Sequence, residues 1–389
     1  MAYYLRRFSN VKRRLSIQRH DSLIDRDNYS IMPTLAQPSS LTDEEIIFTV
    51  SVDVEESWDW TKSLPVSDFD TKNAEQLQSF HEHLSAHDIA ATYFCTYAML
   101  HNTDSRDHLV ALSKKASVEM AAHLHPWCNP PFTDSTYRHS NQSATADRDS
   151  YLIHLPQKVI EEKVAALVNK FTECFGGAPY SFRSGRWGCN DTVLRILQDR
   201  GFKVDSSLLA FYKTPYFDCG TYPSQPHYFE QAVDSSDRIL SMPASGGYSR
   251  RPFSSAHRWH IAFQNILARF FHLSSLASKL RFQRQIFLSP ELSSLEHMKA
   301  LCDQMLKRDD RFFHLSLHSS SLEPGHNQYV HTEQEKQKLL DNITGVLDYL
   351  RQRRRVHTAT LEQASAYYGH KAKHTASRRT DSEFAAHSV

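Results

Sequence analysis

Apolar residues recur at two different spacings along most of this chain, and the alternation predicts its architecture. Residues 45–53 form a β-branched and aromatic run that is typical of a buried strand and that ends in acidic side chains. Leu77, Phe80 and Leu84 then recur at helical spacing, and residues 90–94 form the next strand-like run. Strand and helix therefore alternate, which favours a parallel α/β sheet or barrel.

The same alternation continues downstream. Helical spacing is found at 109–112, 160–175, 191–200 and after Thr332, and strand-like runs occupy 117–123, 180–183, 202–205, 311–318 and 356–360. Gly176 and Gly177 are expected to end the helix over 160–175. Glu335 follows Thr332 by three residues, so a capping box should open the last of these helices.

The chain of 389 residues is long enough for one large domain with extensions. We predict a single folded domain over residues 43–369, followed by a polar tail over 370–389. Residues 1–42 are basic, Ser-rich and without periodicity, and we expect them to be poorly ordered. A true start at Met32 is an alternative explanation of this basic stretch.

A helical insertion around residues 250–290 differs from the rest of the domain. Its aromatic residues, such as Trp259 and Phe263, are interleaved with cations, such as Arg258 and Arg269. One interpretation is a basic amphipathic surface helix that meets a membrane or an acidic glycan. The other is an inserted helix whose aromatic residues pack on the main domain. Aromatic residues at helical spacing usually belong to a core, which favours the second interpretation.

Composition narrows the classes of function. A net charge of +1 gives no overall attraction to nucleic acid. The six cysteines show no Cys-x-x-Cys spacing, which fits free thiols in a reducing cytosol. No apolar run approaches the ~18 residues of a membrane span, and no apolar segment of a secretory signal follows the basic N-terminus. We therefore expect a cytoplasmic protein without a transmembrane segment, with peripheral membrane contact left open.

Residues capable of catalysis lie at four predicted strand ends, where α/β folds place their sites. These stretches are residues 51–55, 122–127, 181–188 and 314–320. His123 and His125 are two apart on a strand, so both point the same way and can reach one cation such as zinc. Among 23 histidines such a pair is more often structural. The prediction of a site depends on the four stretches occurring in order on one α/β chain.

In these stretches the sequence resembles the polysaccharide deacetylase family, carbohydrate esterase family 4, over roughly residues 45–360. The matching motifs are Val52-Asp53-Val54-Glu55, the His123 and His125 pair, Arg183 to Gly188, and Leu317-His318. It is most similar to a cytoplasmic-type branch associated with surface-polysaccharide biosynthesis. The resemblance implies a deformed (β/α) barrel of about seven parallel strands. It also implies a divalent metal, zinc being the first expectation, and hydrolysis of an acyl group from an amide nitrogen.

The resemblance also implies roles for the acidic and histidine residues, with two departures. The family opens with adjacent aspartates, whereas Val54 separates Asp53 from Glu55 here. We assign Asp53 as the base and Glu55 as a metal ligand, and the reverse assignment, or Asp53 in both roles, stays open. The family spaces its two histidine ligands four apart, whereas His123 and His125 are two apart.

Arg183 is expected to orient the base, and His318 to act as the general acid. The residues expected to bind substrate are Trp58, Trp127, Arg186 and Trp187. Aromatic faces suit sugar rings, although packing at the rim explains the tryptophans equally well. We expect the substrate to be an N-acylated sugar, a polysaccharide or its precursor. The alternatives are a hydrolase of cyclic or linear amides on the same fold, or a catalytically inactive carbohydrate-binding relative.

Overall fold

The structure, a computed structural model, describes residues 41–58, 64, 69–132, 148–229, 238–269 and 284–368, with the backbone alone for 263–269. The predicted N-terminal extension lies outside the described residues except for residues 41 and 42. The polar tail over 370–389 lies wholly outside them, and so does much of the insertion around 250–290.

The long strands and helices lie close to the positions predicted from periodicity. The strands are β1 Glu45–Val54, β2 Ala91–Cys95, β3 Val118–Leu124, β4 Ser181–Ser184, β5 Val204–Asp205, β6 His227–Tyr228, β7 Leu240–Ser241, β8 Gly246–Tyr248, β9 Gln285–Phe287, β10 Phe312–His318 and β11 Arg355–Thr358. The helices are α1 Leu77–Ser85, α2 Tyr97–His101, α3 Thr103–Ser113, α4 Gln157–Phe175, α5 Asp191–Asp199, α6 Phe253–Arg269, α7 Leu295–Leu306 and α8 Glu333–Arg351. A further helical stretch covers 361–368.

The main sheet has nine strands in the order β10-β1-β2-β3-β4-β5-β7-β6, and β11 also pairs with β1. Every pair is parallel except β6 with β7. The sheet curls into a half-barrel, so the predicted deformed, mostly parallel barrel is confirmed. The parallel strands therefore place their carboxyl ends at one rim.

Alternation along β1 separates the hydrophobic core from the polar interior of the curled sheet. Val50 and Val52 belong to the main hydrophobic cluster, together with residues of the surrounding helices. Ser51 and Asp53 point to the other face, where both contact Arg183 of β4. The barrel interior is therefore polar towards the rim, as expected if it holds a site rather than only a core.

The predicted helix ends are also found. Gly176 follows α4 with a φ of 79°, a left-handed conformation that glycine adopts without a Cβ penalty. Thr332 and Glu335 form the predicted capping box at the start of α8. All six cysteines are free thiols, as their spacing predicted.

The insertion begins as α6, and its described side chains lie in two environments. Phe253 and His257 are buried, and His257 contacts Asp218 at 2.9 Å and the Tyr248 hydroxyl at 2.9 Å. Trp259 is 67% exposed, so this aromatic residue does not pack on the barrel. Phe263 and the later aromatic residues lie outside the described side chains. Among the described helices, none is long and apolar enough to cross a membrane.

A buried carboxylate closes the opposite end of the barrel from the rim. Glu119 accepts hydrogen bonds from Thr92 at 2.9 Å, from Ser181 at 2.5 Å and from the backbone N–H of Glu362 at 2.9 Å. It thereby ties three neighbouring strands to the helical stretch 361–368. Burial raises the pKa of the Glu119 carboxyl from 4.5 to about 7, despite these hydrogen bonds.

We expect Glu119→Gln to stabilise the protein at alkaline pH. Between pH 4.5 and 7 the folded state binds more protons at Glu119 than the unfolded state does, so this group lowers stability as pH rises. The increase in the free energy of unfolding caused by Glu119→Gln should therefore be about 2 kcal/mol larger at pH 8 than at pH 5. Denaturant unfolding at both pH values measures it, with the exposed Glu82→Gln as a control. An equal gain at the two pH values would contradict the assignment.

Candidate active site

The rim of the half-barrel brings together the predicted catalytic and metal-binding residues. These are Asp53, Glu55, His123, His125, Arg183 and His318. The strand register places Asp53 of β1 directly beside His318 of β10, and His123 of β3 beside Arg183 of β4. Residues from four strands that are far apart in sequence therefore form one cluster.

Glu55, His123 and His125 form a buried group that could hold a metal ion. The Nε2 atoms of His123 and His125 lie 3.4 and 3.1 Å from Glu55 Oε2, and the possible ligand atoms are all within 4.8 Å of one another. Burial opposes ionisation of Glu55, but the facing His318 and His125 outweigh it and lower the pKa of its carboxyl. One carboxylate and two imidazoles leave further positions open, as catalytic zinc sites do. The donor set therefore fits a divalent metal.

The second nitrogen of each imidazole is held by the protein. His123 Nδ1 lies 3.0 Å from the Arg183 carbonyl oxygen, and His125 Nδ1 lies 2.9 Å from Glu56 Oε1. Each Nδ1 therefore donates its proton away from the cluster, and Nε2 is the nitrogen that faces Glu55 and would bind the ion. The two-residue spacing of the histidines is thus compatible with two ligands on one side of the strand.

A second group in the described chain, Glu56, His125 and Cys128, is also close enough for an ion. Burial, helped by the Glu56 carboxylate, raises the pKa of the Cys128 thiol to about 12, which disfavours the thiolate that metals require. His125 Nδ1 is moreover hydrogen bonded to Glu56. The group that contains Glu55 is therefore the better site.

Arg183 fills the centre of the barrel below Asp53. Its side chain is 1% exposed, and Nη1 lies 2.5 Å from Asp53 Oδ1. Nη2 donates to the hydroxyls of Ser51 and Ser206, each at 2.9 Å, and Nε donates to the Ser206 carbonyl at 3.1 Å. The guanidinium also stacks 4.2 Å from the ring of Phe94. The Asp53 carboxylate thus meets a fixed positive charge on one of its two oxygens.

His314 supports this arrangement from below and was missed as a site residue. Its Nδ1 lies 3.2 Å from the Pro243 carbonyl, and its Nε2 lies 2.8 Å from Ser51 Oγ and 3.3 Å from Arg183 Nη2. Burial and the neighbouring Arg183 charge lower the pKa of His314 well below its ordinary value. His314 is therefore neutral, and its unprotonated Nε2 accepts hydrogen bonds from the arginine and the serine.

His318 lies on the other side of Asp53, and its Nε2 is 4.0 Å from Asp53 Oδ2. Its Nδ1 lies 2.8 Å from Glu291 Oε2, and Glu291 also accepts from the His318 backbone N–H and from the Ser321 hydroxyl. Burial lowers the pKa of His318, but the Glu291 and Glu55 carboxylates outweigh it and raise that pKa to about 10. His318 is therefore protonated at neutral pH, with Nε2 turned towards Asp53.

Glu291→Gln should lower the pKa of His318 by about 1 to 3 pH units, because an adjacent carboxylate favours the imidazolium. The amide still accepts a hydrogen bond, so the ring should keep its position. The pKa can be followed by NMR titration of the imidazole, with the exposed Glu296→Gln as a control. An unchanged pKa would mean that Glu55 and Asp53 alone keep His318 protonated.

The predicted substrate-binding residues lie around the same cluster. Trp127 stacks on His125 with ring centroids 4.2 Å apart, and Trp58 meets Trp127 edge-on at 5.4 Å. Trp187 lies 5.0 Å from the Arg183 guanidinium. The Arg186 guanidinium lies 5.0 Å from the ring of Tyr151. The three tryptophans therefore border the cluster of predicted site residues, and Arg186 lies against Tyr151.

Arg186 and Trp187 both adopt left-handed backbone conformations, with φ values of 60° and 59°. Non-glycine residues rarely do so, and such strain is concentrated at functional sites. The turn follows β4 directly and directs the Trp187 ring back over Arg183. Sequence reasoning identified both residues but gave no sign of this turn.

Periodicity and motif spacing also missed Glu56 and Glu291 as partners of site histidines. Glu56 follows the acidic motif directly, and its adjacency to Glu55 was the available signal. Glu291 lies 27 residues before His318 in a segment without periodicity, so no local pattern connects the two. These two carboxylates accept hydrogen bonds from Nδ1 of His125 and Nδ1 of His318.

The comparisons with known proteins find similar solved structures, all at low sequence identity. No protein-family model and no curated protein match the chain. A crystal structure from Mycobacterium smegmatis, named as a polysaccharide deacetylase, aligns with 87% of this chain and 95% of its own at 14% identity and a TM-score of 0.47. The PuuE allantoinase aligns with 85% and 92% at 12% identity and a TM-score of 0.48. A carbohydrate esterase family 4 pseudoenzyme from Bacillus anthracis aligns with 83% and 66% at 11% identity and a TM-score of 0.36.

Proposed function

We propose that this chain is a metal-dependent hydrolase that removes an acyl group, with acetyl the first expectation, from the amide nitrogen of a glycan or glycan precursor. The observation that carries the proposal is the arrangement at the rim. A buried Glu55, His123 and His125 group lies at the same rim as an arginine-paired Asp53 and a protonated His318. The proposed catalytic domain covers residues 43–369.

Zinc or a similar ion bound by Glu55, His123 and His125 would polarise the amide carbonyl and acidify a water molecule. Asp53 acts as the general base that takes the proton from the attacking water. The Arg183 contact occupies Asp53 Oδ1 and leaves Oδ2 facing the site, so one oxygen is fixed and the other accepts the proton.

His318 acts as the general acid. An amine leaves poorly without a proton, and the imidazolium held by Glu291 can supply one from Nε2. Because His318 Nε2 lies 4.0 Å from Asp53 Oδ2, the acid and the base can both reach one scissile amide. The two groups therefore carry complementary charges at the start of the reaction, one ready to accept and one ready to donate.

Sugar is the favoured substrate because of the tryptophans at the rim. Trp58, Trp127 and Trp187 offer aromatic faces suited to the apolar faces of sugar rings. The sequence motifs that resemble the cytoplasmic-type deacetylase branch support a polysaccharide precursor within the cell. Hydrolysis of a cyclic amide such as allantoin is the second candidate, because the same acid, base and metal group would open such a ring.

Release of acetate tests the proposal directly. Chelator-treated protein should be inactive on N-acetylglucosamine oligomers, and activity should return on addition of zinc, cobalt or manganese. Hydrolysis of allantoin but not of the oligomers would select the cyclic-amide alternative. Stoichiometric metal without turnover of any N-acylated sugar or cyclic amide would instead support an inactive carbohydrate-binding protein.

A further inference from the structure

Glu56 is not among the groups proposed to touch metal or substrate, yet its carboxylate is completely enclosed by the site. The residue is 1% exposed and follows the proposed ligand Glu55 in sequence. We propose that Glu56 is a positioning residue that fixes the orientation of His125 as a metal ligand and links His125 to the Trp127 side chain. The inference rests on the proposed metal-dependent function.

Three donors converge on the Glu56 carboxylate. Oε1 accepts from His125 Nδ1 at 2.9 Å and from Trp127 Nε1 at 3.0 Å, and Oε2 accepts from the Thr96 hydroxyl at 3.0 Å. A buried carboxylate with this many donors is held in one orientation. The His125 imidazole is therefore also held, because its Nδ1–H bond has to point at the fixed Glu56 oxygen.

Fixing Nδ1 determines what Nε2 can do. Because Nδ1 donates to Glu56, Nε2 is the nitrogen of His125 that faces Glu55, 3.1 Å from Oε2, and it would be the ligand atom when an ion binds. Carboxylates in this position raise the basicity of a ligating imidazole and select its tautomer. Glu56 thus makes the second histidine of a two-residue spacing into a ligand.

The same oxygen also links the ligand to the expected sugar contact. Trp127 stacks on His125 at 4.2 Å, and both rings donate to Glu56 Oε1. The two side chains therefore form one unit through stacking and a shared acceptor. Trp127 cannot rotate without leaving either its indole N–H or the carboxylate short of a buried hydrogen bond.

The Glu56→Gln substitution separates the carboxylate charge from the packing. The amide oxygen can still accept from His125 and Trp127, and the Thr96 hydroxyl can turn to accept from the amide nitrogen. We expect zinc affinity, measured by competition with a chromophoric chelator at pH 7, to fall by about 10- to 100-fold. Metal-free Glu56→Gln should unfold at the wild-type temperature.

Glu119→Gln is the matched control, because it replaces another buried carboxylate in the same barrel that contacts no proposed ligand. Its zinc affinity should equal that of the wild type. Wild-type affinity in Glu56→Gln, an equal loss in Glu119→Gln, or unfolding of metal-free Glu56→Gln would each overturn the inference. A wild type that binds zinc while Glu56→Gln binds it equally well would leave the proposed function standing. A wild type that binds no divalent ion would overturn both.

Discussion

Asp53→Asn should reduce kcat by about 10²- to 10⁴-fold while leaving bound metal in place, because the amide cannot accept the proton from water. The substitution is nearly isosteric, and its oxygen can still accept from Arg183 Nη1. The loss should therefore appear in turnover rather than in folding. Acetate release at saturating substrate, with metal content measured on the same sample, gives both quantities.

Asp199→Asn provides the control for this variant, since Asp199 is exposed at the end of α5. Undiminished turnover in Asp53→Asn would remove the base from the mechanism. Loss of metal together with turnover would show that Asp53 is also a ligand, and Glu55→Gln would then distinguish a shared role from a reversed one.

Removal of either histidine from the metal group should have an even larger effect. His123→Ala and His125→Ala each leave only two of the three ligands, so metal should be lost at micromolar protein concentration and turnover should fall to that of chelator-treated protein. Elemental analysis of dialysed protein measures metal content per chain. The expected wild-type value is about one ion.

His101→Ala is a suitable control, because His101 is exposed at the end of α2 and lies outside the metal group. Metal lost only in His123→Ala would assign the second ligand to another side chain, with Asp53 the first to test. Full metal content in both variants would contradict the site altogether.

The long elements of the fold could be predicted because each is long enough to show the hydrophobic pattern of a strand or a helix. β1 and β10 are runs of seven or more residues, and α4 and α8 are nineteen residues each. The short strands β6 to β9 have only two or three residues, too few to show a period of two. Their formation depends on pairing across the sheet, which no local pattern records.

The same distinction explains which parts of the site were predicted. Asp53 and His318 lie at the carboxyl ends of the long apolar strands β1 and β10, so topology places them at one rim. Glu291 and His314 acquire their roles from partners 27 and 131 residues away, through packing that only the folded chain shows. A role that depends on a partner distant in sequence is therefore the hardest part of a site to predict from sequence.

The burial of Arg183 has a consequence for large-scale mutational screens. Its guanidinium contacts Asp53, the proposed base, and also hydrogen bonds with Ser51, Ser206 and His314 inside the barrel. Substitutions of Arg183 should therefore lower cellular abundance and specific activity together. Substitutions of His318, which is 23% exposed at the rim, should lower activity while abundance is retained. A screen that scores both properties would therefore distinguish Arg183, which is needed for folding and for the site, from His318, which is needed for activity alone.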